Sequence, residues 1–144
     1  MFKHILVICI GNICRSPTAE FLFRQQLAHR NVHVCSAGLG ALVGRPMDGH
    51  AIQILKEHGV DAATHRARQI DSVMLRKSDL ILVMERKHMA AAARLAPESS
   101  GKLFLLGKWL DAVDVPDPYR QPRNVFEHVY TLIEHSVGSW LPYL

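Results

Sequence analysis

A chain of 144 residues that is 49% hydrophobic and carries no low-complexity tract is long enough for one compact domain with a substantial core, and no linker divides it. Its net charge of +4 suits attraction of an anionic substrate, yet no run of lysine or arginine supports binding of nucleic acid. No apolar run reaches membrane-spanning length, and three cysteines, Cys9, Cys14 and Cys35, without CxxC spacing point to reduced thiols. A soluble cytoplasmic protein without membrane insertion is expected.

The first apolar run, Ile5 to Ile8, follows Lys3 and superficially resembles a secretion signal. Extended to Ile10, the run is still shorter than the roughly 7–15 apolar residues such a signal needs, and Gly11-Asn12 interrupts it without a small-residue cleavage site. A buried strand covered on both faces is the better reading. The stretch Cys9 to Ser16 then leads into a helix, with Ser16 as predicted cap and Pro17 as first helical residue. Ala19, Leu22, Phe23 and Leu27 mark its apolar face down to about Arg30.

Val32 to Cys35 reads as a second strand running into a glycine-rich loop, Ser36 to Gly44, and Cys35 is expected in the core. Asp48 caps the next helix, whose apolar face is Ala51, Ile52 and Leu55 and which Gly59 ends. A short helix is predicted over Asp71 to Lys77, a third strand over Leu80 to Met84, and an alanine-rich helix from Arg86 to Ala96 closed by Pro97. Leu103 to Leu106 forms the fourth strand. Between Gly107 and Gln121 lies a long aperiodic stretch containing Asp111, Asp114 and Asp117, and loops of that length in compact domains are often functional. Pro122 opens the last helix, whose core face is Val125, Phe126, Val129, Leu132, Ile133, Val137 and Trp140.

Strands alternating with helices imply right-handed crossovers and a parallel sheet covered on both sides, an α/β fold. Ligands of such sheets bind beyond the strand C-terminal ends, where Cys9 to Ser16 falls. A strand that feeds a helix start through a small turn directs several backbone N–H groups at one point, an anion site. Arg15 adds a planar fork able to hold two phosphoryl oxygens. The same field favours the thiolate of Cys9, which could displace a leaving group from phosphorus and form a phosphocysteine. A carboxylic acid on a nearby loop would protonate the leaving oxygen and return as base for the hydrolytic water, and Asp111, Asp114 and Asp117 are all candidates. This scheme needs no metal or cofactor. His29 and His33 stand four apart where the helix should already be ending, with no carboxylate or cysteine to complete a metal set.

Cys9-Ile10-Gly11-Asn12-Ile13-Cys14-Arg15-Ser16-Pro17, together with Asp117-Pro118-Tyr119, resembles the low-molecular-weight protein tyrosine phosphatases. The likeness continues in the same order through Ser36-Ala37-Gly38 and Ala67-Arg68-Gln69-Ile70 to the last helix. It implies one three-layer domain over residues 1–144, with a four-stranded parallel sheet in the order 2-1-3-4 and helices on both faces. It also implies that Cys9 is the nucleophile, Arg15 the phosphate clamp and Asp117 the general acid and base. Ile10, Gly11, Ile13 and Cys14 would complete the phosphate loop. Asn12 matches a loop asparagine in an unusual backbone conformation, Ser16 a hydroxyl supporting the thiolate, Ser36 a partner tying the loop down, and His65 a histidine bonded to that serine. Cys14 matches a second cysteine able to form a reversible disulfide with Cys9, or is a packed thiol.

Tyr119 and Leu42 would form opposite walls of the entrance. Arg120 stands where mammalian-type members continue with an aromatic residue, which bears on peptide preference. The run Ser36 to Gly44 and the pair Pro116-Asp117 look like the bacterial branch acting on tyrosine autokinases of capsule and exopolysaccharide export. Two rival functions are arsenate reduction on the same fold and non-enzymatic binding of phosphate or phosphotyrosine. The first needs further cysteines, and Leu82 and Met89 occupy the region where they would be sought; the second has no use for Cys9 and Asp117 together.

Overall fold

The computed structural model describes residues 2–144. Four short apolar segments, β1 (His4–Cys9), β2 (His33–Gly38), β3 (Leu80–Val83) and β4 (Leu103–Leu105), pair in parallel in the order β2-β1-β3-β4. Residue partners run from His4–His33 to Cys9–Gly38 on one side of β1 and from Ile5–Leu80 to Ile8–Val83 on the other. Alternation of side chains along each strand divides the core into two halves. Ile5, Val7, Leu80, Leu82 and Met84 pack with the helices α1 (Arg15–Gln26), α2 (Gly49–Glu57) and α5 (Arg123–Trp140). Leu6, Ile8, Ile81 and Val83 pack with α3 (Ser72–Lys77) and α4 (Lys87–Leu95). The result is the expected single-domain, three-layer α/β fold.

Most element ends fall within a residue or two of the predicted ones. Asp48 caps α2 by accepting from the His50 N–H, and Asp71 caps α3 by accepting from Met74. Gly59 follows α2 with φ +80°, a conformation glycine adopts without strain. On α5 the buried face includes Tyr130 and Ser136, while Val125 and Leu132 are only partly covered.

The helix after the Cys9 loop departs from expectation. It begins at Arg15 rather than after Ser16, has no side-chain cap, and stops at Gln26 rather than near Arg30. It is not amphipathic over its first turns, since every residue from Arg15 to Phe23 is buried. The sheet, α2 and α5 enclose that segment together. Pro97 does not merely close α4; it starts a 3₁₀ turn over Pro97–Lys102. The long stretch after β4 is tied back at both ends of its course: Val115 N–H donates to Met84 O at 2.8 Å, and Gly107 bridges Val113. This brings Asp117 over the C-terminal edge of the sheet. Among the described residues no helix is long and apolar enough to cross a membrane.

Candidate active site

The site begins with a backbone crossing. Leu39 N–H donates to Cys9 O and Gly40 N–H to Ile10 O, so the chain leaving β2 lies directly on the loop leaving β1. Only glycine fits at position 38, because a Cβ there would lie 2.2 Å from the Ile10 carbonyl oxygen. The loop then turns through Asn12, which is fully buried with φ +58°. A non-glycine residue is held in that conformation only when its surroundings over-determine it, and here every polar atom of the side chain is engaged.

Asn12 Nδ2 donates to Ser16 Oγ at 2.8 Å and to Ser36 Oγ at 2.9 Å, while its Oδ1 accepts from the Arg68 N–H at 2.9 Å. Ser16 Oγ lies 2.9 Å from Cys9 Sγ. Having accepted from Asn12, that hydroxyl keeps its own proton to donate to sulfur. Ser36 likewise passes its proton on, to Glu20 Oε1 at 2.5 Å. These bonds also explain the missing cap: Ser16 is turned toward Cys9 and Asn12 instead of toward the helix N–H groups. His65 is not bonded to Ser36 as the resemblance implied. Its Nε2 lies 2.7 Å from the Asn12 carbonyl oxygen, one residue of the loop rather than its support.

Arg15 is 1% exposed, and its position is set by two acceptors. Nη1 donates to Glu85 Oε1 at 2.6 Å and to the Val115 carbonyl at 2.9 Å, Nη2 lies 3.6 Å from Asp117 Oδ2, and Nε has no partner. Burial by itself would raise the Glu85 carboxyl, but the hydrogen bond and charge of Arg15, with His88 and Lys87, outweigh it and hold the group below its ordinary value. Glu85 was not singled out by its sequence. The available signal was positional: it is the second residue past β3, at the same sheet edge as the Cys9 loop.

A cavity of about 150 Å³ opens above the loop, lined by Cys9, Gly11, Arg15 and Asp117 with apolar walls of Ile10, Ile13, Leu42 and Tyr119. Of the three candidate aspartates only Asp117 reaches it. Asp114 instead accepts from the Arg86 N–H at 3.0 Å, and Asp111 sits in a left-handed turn with φ +56°. Asp117 Oδ1 accepts from the Tyr119 N–H at 3.1 Å, and the Arg120 guanidinium lies 5.2 Å from the Tyr119 ring centroid, so carboxylate and ring are braced together. Cys14 also lines the cavity. Burial first, then Cys9 and Asp117 beside it, push its thiol well above the ordinary range, so it keeps its proton at neutral pH. All three cysteines are free thiols, and Cys35 is half-buried, packed against the edge of the core while also lining a different cavity.

Thiol, buried guanidinium and carboxylate around one cavity at a strand-to-helix turn, a geometry that favours anions at the helix start, define a phosphate-handling cysteine loop on a parallel α/β sheet. Residues 4–144 match the low molecular weight phosphotyrosine protein phosphatases, and the chain belongs to that family. The low molecular weight protein-tyrosine-phosphatase Wzb of Salmonella typhimurium is 49% identical over 140 residues, covering 97% of this chain and 93% of the relative. Vibrio vulnificus Wzb, solved in complex with benzylphosphonate, superposes with a TM-score of 0.96 at 44% identity over the full length of both chains. The YwlE arginine phosphatase of Geobacillus stearothermophilus superposes with a TM-score of 0.91 at 30% identity, covering 98% of this chain and 92% of that one.

Proposed function

We propose that this protein hydrolyses phosphotyrosine in proteins through a phosphocysteine intermediate. The observation that carries the reading is the convergence of Cys9, the partly unpartnered Arg15 and Asp117 in one cavity with apolar walls. Cys9 Sγ, as thiolate, attacks phosphorus while the bond to the tyrosyl oxygen breaks. The Asp117 carboxylic acid gives its proton to that oxygen. Arg15 and the loop N–H groups take the three remaining oxygens, whose charge they stabilise without rearranging. The Asp117 carboxylate then takes a proton from water as it attacks the phosphocysteine, releasing phosphate and the thiolate. Ile10, Gly11, Ile13 and Cys14 shape the cradle, and Asn12, Ser16, Ser36 and His65 hold it.

Ile10, Ile13, Leu42 and Tyr119 match the face of an aryl ring, and Asp117 is the one carboxylate among the cavity's lining residues. A guanidinium leaving group, as in phosphoarginine, would lay its charge against that apolar wall. Arsenate reduction is disfavoured because no cysteine accompanies Leu82 and Met89, and Cys35 opens onto another cavity. The physiological substrate we infer is a bacterial tyrosine autokinase controlling exopolysaccharide production, a reading that rests on the likeness to the Wzb branch. A cytoplasmic setting follows from that partner.

The test is hydrolysis of p-nitrophenyl phosphate and of phosphotyrosine and phosphoarginine peptides, without metal, by wild type and Cys9→Ser. Loss of aryl-phosphate turnover in Cys9→Ser is expected. Equal rates would sink the nucleophile assignment, and a preference for phosphoarginine would sink the substrate class. Dephosphorylation of the tyrosine-rich tail of a co-encoded kinase tests the partner.

A further inference from the structure

A second cavity, about 300 Å³, lies on the far side of the Cys9 loop and is lined by Glu20, Arg24, Cys35, Ser36, Thr64, His65, Arg66 and Arg68, with Phe21 at one side. Its chemistry differs from that of the first: three guanidinium groups face a single carboxylate. That carboxylate is already committed, since Glu20 Oε1 accepts from Ser36 and Oε2 pairs with Arg24 Nη2 at 2.5 Å. Arg66 and Arg68 have no carboxylate within ion-pair distance among the described residues, which leaves two positive charges around the cavity uncompensated.

The three arginines are also fixed in place by main-chain acceptors. Arg24 Nε donates to Val34 O at 3.1 Å, Arg66 Nη1 to His65 O at 2.7 Å, and Arg68 Nε to Ser36 O at 3.0 Å. Each anchor uses one edge of a planar fork and leaves other N–H groups free, so a ligand would find donors whose ordering entropy is already spent. Thr64 adds a hydroxyl to the same lining. Forks of this kind match the oxygens of a tetrahedral phosphoryl group better than a lone point charge does.

The cavity wall and the Cys9 loop share one hydrogen-bond network. Ser36, His65 and the Arg68 backbone, all on this side, are the three groups that hold Asn12 from behind. An anion drawing Arg68 from Ser36 therefore alters a residue bonded directly to Asn12, one drawing Arg24 from Glu20 acts one residue further back through Glu20 and Ser36, and Cys9 lies beyond Asn12 through Ser16.

We propose that this cavity is a second anion site, taking a small phosphate-bearing molecule, and that its occupancy is transmitted to Asn12. The volume exceeds that of a single phosphate, so the ligand is either inorganic phosphate with water or a phosphomonoester. The proposal does not depend on the catalytic reading of the first cavity.

The experiment is an amide NMR titration with benzylphosphonate occupying the Cys9 cavity, using inorganic phosphate in one arm and glycerol 3-phosphate in the other. Saturable shifts of residues 64–68 and of the Asn12 side-chain amide are expected. Binding in both arms assigns the phosphoryl group alone as sufficient, and binding only of glycerol 3-phosphate assigns the ester. Arg66→Ala removes an exposed side chain whose bonds are to neighbouring carbonyls. It should weaken binding at least tenfold while p-nitrophenyl phosphate turnover without added anion stays within twofold, and Arg66→Lys should fall between. No saturable shift in either arm, or affinity unchanged in Arg66→Ala, overturns the site. Shifts at residues 64–68 with Asn12 unmoved overturn the transmission.

Discussion

At the scale of single residues, Arg15 and Asp117 act through what surrounds them. A guanidinium 1% exposed to solvent is tolerable only with acceptors in place, and Glu85 and Val115 O supply them on one edge while the Nε edge stays free for a ligand. Glu85→Ala leaves that buried cation short of a partner. A loss of about 1–3 kcal/mol in urea unfolding is expected, together with at least a tenfold fall in kcat/KM for p-nitrophenyl phosphate. Asp117 has a different signature. As the proposed general acid it matters in proportion to how badly the leaving oxygen needs a proton. Asp117→Asn should slow phenyl phosphate hydrolysis by roughly 10²–10⁴-fold and p-nitrophenyl phosphate hydrolysis much less. A uniform loss across leaving groups would remove the acid role and leave Asp117 as a mere neighbour of Arg15.

At the scale of elements, the strand-loop-helix unit works because β2 crosses it so closely. Gly38→Ala places a methyl group 2.2 Å from Ile10 O, and since a Cβ has no rotamer to adopt and the oxygen is backbone, neither can yield cheaply. Destabilisation of about 1–3 kcal/mol with loss of turnover is expected, measured by thermal unfolding and steady-state assay. Gly138 gives the contrast. It lies within α5 with open space for 4 Å around the place a Cβ would occupy and without a positive φ, so Gly138→Ala should stabilise by about 0.5–1 kcal/mol and leave kinetics unchanged. The strands were readable in the sequence because each is a continuous apolar run, the mark of burial on both faces. The start of α1 was not. Ser16-Pro17 has the form of a capped helix start, but the serine oxygen is taken by Asn12 and Cys9, a tertiary bond that no local pattern encodes. Glu85 was invisible for the same reason: a lone carboxylate after a strand has no periodicity, and its meaning comes from Arg15, seventy residues earlier in the chain. Among Asp111, Asp114 and Asp117 the residues alone offered no choice, and the position of Val115 against Met84 is what carries Asp117 to the cavity.

At the scale of the whole molecule, the ionisable groups buried beneath Arg15 tie stability to pH. His88 is 3% exposed, neither ring nitrogen has a hydrogen-bond partner, and Nε2 lies 3.7 Å from the same Glu85 oxygen that Arg15 holds. Burial, then the charge of Arg15, hold its pKa below the ordinary value; Glu85 and Asp114 pull the other way without prevailing, and Lys87 adds to the lowering. The folded protein therefore keeps His88 neutral at a pH where the unfolded chain, titrating near about 6.5, already binds a proton. Over that interval the unfolded state holds more protons, so stability rises with pH and is lost as pH falls below about 6.5. Glu85, lowered in the fold, contributes in the same sense further down, its share disappearing as pH drops through its folded value. Unfolding free energies from urea titrations between pH 7.5 and 5.5 should fall on acidification, with a slope from one histidine no steeper than about 1.4 kcal/mol per pH unit. His88→Gln keeps a neutral polar side chain but cannot take the proton, so its slope over this range should be shallower than that of wild type. An unchanged slope would remove His88 as the source of the acid sensitivity.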